Sequence, residues 1–82
     1  MTSTYQIVKR GAESWEITLV RKHRGAYEYE LAARVVFDGR VYRIERPRWL
    51  EDGHVWEPSG TRGYLLPDAA FRAVMRGESP PE

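Results

Sequence analysis

The longest unbroken alternation in the chain runs from Tyr27 to Phe37. Tyr27, Tyr29, Leu31, Ala33, Val35 and Phe37 take every second position, with Glu28, Glu30 and Arg34 between them. A period of two sends the first set to one side of a strand and the second set to the other. Tyr, Val and Phe also suit a pleated, half-buried surface. One strand cannot stand alone in water, so the chain must supply neighbours for it.

The neighbours are legible. Tyr5 to Arg10 alternates and breaks at Gly11-Ala12. Trp15, Ile17 and Leu19 alternate with Glu16, Thr18 and Val20, and Lys22-His23-Arg24-Gly25 reads as a polar turn. Asp38-Gly39, between Phe37 and Arg40, predicts a hairpin with a type I′ turn, which needs positive φ at both central residues. The returning strand covers Arg40 to Arg46. Pro47 lacks an amide donor, so the strand ends there or lies on a sheet edge. A second Asp-Gly at 52–53 marks a turn, Pro58-Ser59-Gly60 a loop, and His54–Glu57 and Arg62–Leu66 two short strands.

A helix comes last. Pro67 suits a first helical turn, and Asp68 complements the positive end of the helix dipole. Phe71, Val74 and Met75 fall at i, i+3 and i+4 and predict one apolar stripe, with Gly77 as the stop. About ten residues make a marginal helix in isolation, so it must pack on the sheet or on a second copy. The fold class is α+β: a curved antiparallel β-sheet of four to six strands followed by one C-terminal helix. Residues 1–76 form one domain, and the polar, proline-rich 77–82 reads as a disordered tail. Trp15, Tyr29 and Phe71 are expected in the core.

Composition removes several functions. The 82 residues include no cysteine, which excludes disulfides, thiolate metal sites and a cysteine nucleophile. No apolar run approaches a membrane span, and Met1–Tyr5 lacks a signal-peptide pattern, so a cytoplasmic location is expected. His23 and His54 fall in predicted turns with no partners for a metal site or a triad. No phosphate-cradling glycine pattern precedes a helix. Glu28 and Glu30 share a strand face and read as a solvated outer surface. No enzyme activity, metal or cofactor is expected.

Binding chemistry is better represented. Thirteen basic residues oppose twelve acidic ones for a net charge of +1, and eleven of the thirteen are Arg. Arg pairs with phosphate and stacks on bases through one planar fork. Arg40, Arg43, Arg46 and Arg48 crowd nine residues against the single acid Glu45. Arg40 and Arg46 share a face with Tyr42 and Ile44. Trp15, Tyr27, Tyr29, Tyr42, Trp49, Trp56 and Tyr64 add aromatic surface. Cations that follow phosphates beside rings that stack on bases are what a single strand of nucleic acid needs.

From Phe37 onward the chain resembles the positive-cofactor-four family of transcriptional coactivators, single-stranded-DNA-binding proteins related in fold to the Whirly group. The resemblance is carried by Phe37-Asp38-Gly39-Arg40-Val41, Arg46, Trp49, Asp52-Gly53, Pro58, Arg62-Gly63-Tyr64-Leu65-Leu66 and the helix with Phe71. The chain departs from the family in its extra strand Tyr5–Arg10, its longer loop His54–Thr61 and its smaller basic excess. The resemblance implies a homodimer joined through C-terminal helices, with Phe71, Val74 and Met75 facing the sheet or the sister helix. Together the two readings give an expected nucleic-acid surface of Arg40, Tyr42, Arg43, Arg46, Arg48, Trp49 and Arg62. The expected function is non-catalytic binding of single-stranded nucleic acid, DNA ahead of RNA, as a transcription or replication accessory factor. The alternative is a small protein-interaction module, a phage or host regulator that docks on a larger nucleic-acid-processing complex.

Overall fold

In the computed structural model, which describes residues 2–76, five strands and one helix follow one another in simple order. They are β1 (Thr2–Gly11), β2 (Ser14–His23), β3 (Ala26–Phe37), β4 (Tyr42–Leu50), β5 (Gly53–Tyr64) and α1 (Pro67–Met75). Each strand pairs antiparallel with the next, so spatial order equals chain order. The sheet is open and the helix closes one of its faces. The expected α+β architecture is therefore observed, with five strands. The expected tail, 77–82, lies outside the described residues.

Four local readings are corrected. His54–Glu57 and Arg62–Leu66 are not separate strands; both belong to β5, which reaches only to Tyr64. The register jumps from Arg43↔Gly63 to Glu45↔Pro58, leaving Ser59 to Arg62 as an excursion within that strand. β4 runs from Tyr42 through Pro47 to Leu50 rather than from Arg40 to Arg46, so of the two expectations for Pro47 the strand end is corrected and the edge position is met. It can do so because β3 has already left its side, so a missing donor there breaks no ladder. The third correction concerns turns. Asp38-Gly39 does not form a two-residue hairpin, because Phe37 pairs with Tyr42 across a four-residue loop. The Asp38 carboxylate organises that loop by accepting the amides of Arg40 and Val41, both at 2.9 Å. The two-residue turn with positive φ at both centres lies instead at Arg24 (52°) and Gly25 (82°), between His23 and Ala26.

The fourth correction changes which residues face where. Ile17 pairs with Ala33, but Thr18 pairs with Leu31, so Ala32 is an extra residue in β3. Such a bulge reverses the alternation beyond it. Ala33 and Val35 therefore face α1, whereas Tyr27, Tyr29 and Leu31 share the opposite face with Lys22, Val20 and Thr18. Tyr29, expected in the core, is 67% exposed. Glu28 and Glu30 move to the helix side, where Glu30 meets Arg21 at 3.4 Å.

The core lies between α1 and the centre of the sheet. Ile17, Ala33, Val35, Ile44 and Tyr64 are buried from the sheet, and Ala70, Ala73 and Val74 from the helix. Trp15 and Phe71 border this core in an edge-on contact at 5.6 Å. The helix is rotated from the expected stripe: small alanines let its backbone approach the sheet, and Met75 is left 39% exposed. Nine residues give little intrinsic helical stability, so docking maintains α1. Burying Val74 alone is worth about 1.5–3 kcal/mol.

Two substitutions test these details. Gly63 runs close under Val41: a Cβ built at Gly63 falls 2.8 Å from the Val41 Cβ. Gly63→Ala should cost about 1–3 kcal/mol, with part of the loss recovered when Val41→Ala is added. Arg24 holds a left-handed conformation that a long side chain tolerates poorly. Arg24→Asn should raise stability by up to about 1 kcal/mol. Urea denaturation reads both.

Candidate nucleic-acid interface

Among the described residues nothing covers the face of the sheet turned away from α1, and its most organised part is the β4–β5 hairpin. The two-residue turn at Glu51-Asp52 sets the register: Trp49 lies opposite His54 and Pro47 opposite Trp56. All four then project from one side. The Trp49 and His54 rings are 5.1 Å apart, and His54 meets Trp56 edge-on at 5.1 Å. The Arg34 guanidinium lies over the Trp56 ring at 4.8 Å. This makes a continuous row of Trp49, His54, Trp56 and Arg34. Trp49 is 61% exposed. Further along the same face, beyond the bulge, Tyr27 and Tyr29 stand exposed, and the Lys22 ammonium lies over Tyr27 at 5.8 Å.

Arg34 is fixed by two partners. It stacks on Trp56 and forms an ion pair with Glu45, to which its Nε donates at 2.8 Å. Glu45 sits directly opposite Arg34 in the β3–β4 register, and Ile44 beside it points to the core. The row is thus anchored to the most buried part of the sheet.

The expected site residues do not form one surface. Trp49 joins the ring row. Arg43 is on the same face, but its Nε donates to Asp38 Oδ2 at 2.9 Å and its Nη1 to the Thr61 carbonyl at 2.6 Å. Arg48 pairs with Glu57 at 3.0 Å. Arg46 projects to the helix side and donates to the Ala32 carbonyl at 3.2 Å. Tyr42 is half-buried on the helix side against Trp15 and Phe37 and donates to Glu13 at 3.0 Å, which raises its hydroxyl pKa. Arg40 is exposed in the loop after Asp38. Arg62 lies over Tyr64 at 5.2 Å, at the far end of β5. The expected open face bearing Arg40, Tyr42 and Arg46 is therefore the face that α1 covers at Ile44.

Sequence reasoning misses Arg34 and His54 and names Trp56 only among the aromatics, outside the expected surface. The hairpin arithmetic could have found two of them. A two-residue turn at 51–52 pairs positions whose numbers sum to 103, which puts His54 on Trp49 and Trp56 beside them. Arg34 needed the β3–β4 register as well. His54, read as a solvated turn residue, is in β5 between two indoles.

Among the described residues, no group of His, Asp or Glu is arranged to hold a metal ion, and no helix is long and apolar enough to cross a membrane. Comparison with known protein families, curated proteins and solved structures finds no match for this chain.

Asp38 links this face to stability. The amide of Val41, then the Arg43 guanidinium and the amide of Arg40, hold its carboxyl at about 2, below the ordinary 3.8. A carboxyl depressed in the folded state stabilises the protein above its unfolded pKa and loses that contribution as pH falls through its folded value. Asp38→Asn keeps one oxygen acceptor but loses the charge. The stability gap between wild type and Asp38→Asn should be constant above 3.8 and close as pH approaches about 2. Urea melts across that range check it, and a gap unchanged throughout would contradict the assignment.

Proposed function

We propose that the protein binds single-stranded nucleic acid on the sheet face opposite α1, without catalysing a reaction. The observation that supports this most is the row of Trp49, His54, Trp56 and Arg34 on an uncovered surface. Indole and imidazole rings offer platforms for bases of any sequence, and a stacked guanidinium can meet a phosphate or a base plane. Tyr27, Tyr29 and Lys22 extend the same chemistry along the face. The resemblance read from Phe37 onward favours DNA over RNA and a dimer, and a transcription or replication accessory role follows from it.

A second reading has its own observation. Arg10, Arg21, Arg34, Arg43 and Arg48 each sit on a carboxylate, and net charge is only +1. Cations already paired attract phosphate less strongly. Exposed Trp, Tyr and Arg are also the residues that dominate protein interfaces. A protein-interaction module on a nucleic-acid-processing complex fits these features.

Fluorescence anisotropy with a labelled oligonucleotide separates the two. Nucleic-acid binding predicts a log–log salt slope of about −0.7 per phosphate neutralised. Trp49→Ala should weaken binding by about 1–3 kcal/mol, while Leu65→Ala, outside the face, leaves it unchanged. Absence of binding at low salt, with a stoichiometric protein partner retained after nuclease treatment, would replace the first reading by the second.

A further inference from the structure

β3 and β4 pair only from Arg34↔Glu45 to Phe37↔Tyr42. Beyond that seam the strands part. β3 from Ala26 to Leu31 is still held by β2, but its other edge has no strand partner among the described residues. β4 from Arg46 to Leu50 is likewise held only by β5. Between them lies a groove of about 900 Å³. Leu31 and Ala32 line one wall and Pro47 and Trp49 the other, with Leu19 and Val74 among the residues beneath. Arg46 reaches across its closed end to the Ala32 carbonyl.

An unpaired edge is a template for another strand, and native sheets usually guard it. The two outer strands here carry guards: β1 has a register break beside Lys9-Arg10, and β5 has Pro58 and its four-residue excursion. Ala26–Leu31 contains neither Pro nor Lys. Its side chains instead form a pattern. Glu28 and Glu30 face the helix side, and Tyr29 and Leu31 face the other.

We propose that the β3 edge from Ala26 to Leu31 is a docking site for an extended segment of a partner protein in which basic and apolar residues alternate. The main chain of the guest would pair with β3 and its alternate side chains would supply specificity. Residues opposite Glu28 and Glu30 share their face and are basic by complementarity with those two acids; Arg21 serves Glu30 from the other side and the Arg46 guanidinium is held on the Ala32 carbonyl at the closed end, whereas Glu28 forms no ion pair among the described residues. Residues opposite Tyr29 and Leu31 are apolar or aromatic. A second copy of this edge is a poor guest, because antiparallel self-pairing about Tyr29 sets Glu28 against Glu30, and like charges in register repel. The proposal does not depend on nucleic-acid binding, although the groove shares Trp49 and Tyr29 with the face proposed for it.

The probe is a fluorescein-labelled, acetylated octapeptide alternating Lys and Val, followed by anisotropy against the full chain. Saturable binding is expected. N-methylation of the peptide amides on one edge should weaken it about tenfold or more, because main-chain bonds are lost with charge kept. The double variant Glu28→Lys, Glu30→Lys should lose the Lys-Val peptide and gain a Glu-Val one. Hydrogen exchange on the wild type provides an independent reading: β3 amides pointing into the groove exchange fast in the free protein and slow with peptide. No binding, binding indifferent to N-methylation or charge reversal, or groove amides already protected without peptide would each overturn the proposal.

Discussion

The contact between α1 and the β3–β4 seam governs the rest of the structure. Ala33, Val35 and Ile44 present a shallow buried surface, and Ala70, Ala73 and Val74 lie on it. Ala70 and Ala73 on the helix, with Ala33 on the sheet, let the two approach closely, which a short helix requires if packing is to offset its poor propensity. Once α1 takes that face, the opposite face is the broad side of the sheet left open among the described residues.

The seam itself is short. Four residue pairs join β3 to β4 before the strands diverge, while β2–β3 and β4–β5 continue as long hairpins. The sheet is thus two hairpin-based arms joined at one core. Beside the join, the ion pair of Arg34 with Glu45 ties the arms together and sets the guanidinium over Trp56. That cation is half-buried and doubly held, so its position is fixed before any ligand arrives. Preorganisation of this kind spares a binding surface the cost of ordering a long side chain.

Much of this was legible in the sequence. Alternation at Trp15–Val20 and Tyr27–Phe37 reports strands because β geometry imposes its own period, and Pro67-Asp68 before a run containing Phe71 and Val74 reports a helix start. What alternation cannot report is a residue inserted into it. The bulge at Ala32 leaves the pattern Tyr27, Tyr29, Leu31, Ala33, Val35 intact as letters while dividing it between two faces. The same blindness put Arg46 and Tyr42 on an open surface, since the side on which a helix docks depends on where small residues meet, not on periodicity. Arg34 escaped notice because its partners, Glu45 and Trp56, are 11 and 22 positions away, across two register choices.

The central claim is that the rings near the Glu51-Asp52 turn and the ring under the helix belong to opposite faces, and that only the former meet ligand. The three indole N–H signals of a ¹⁵N-labelled sample report this directly during titration with a short single-stranded DNA. The account predicts that the signals of Trp49 and Trp56 move in proportion to occupancy while that of Trp15, shielded beside Phe71, stays in place. Movement of Trp15 with Trp49 and Trp56 stationary would contradict it.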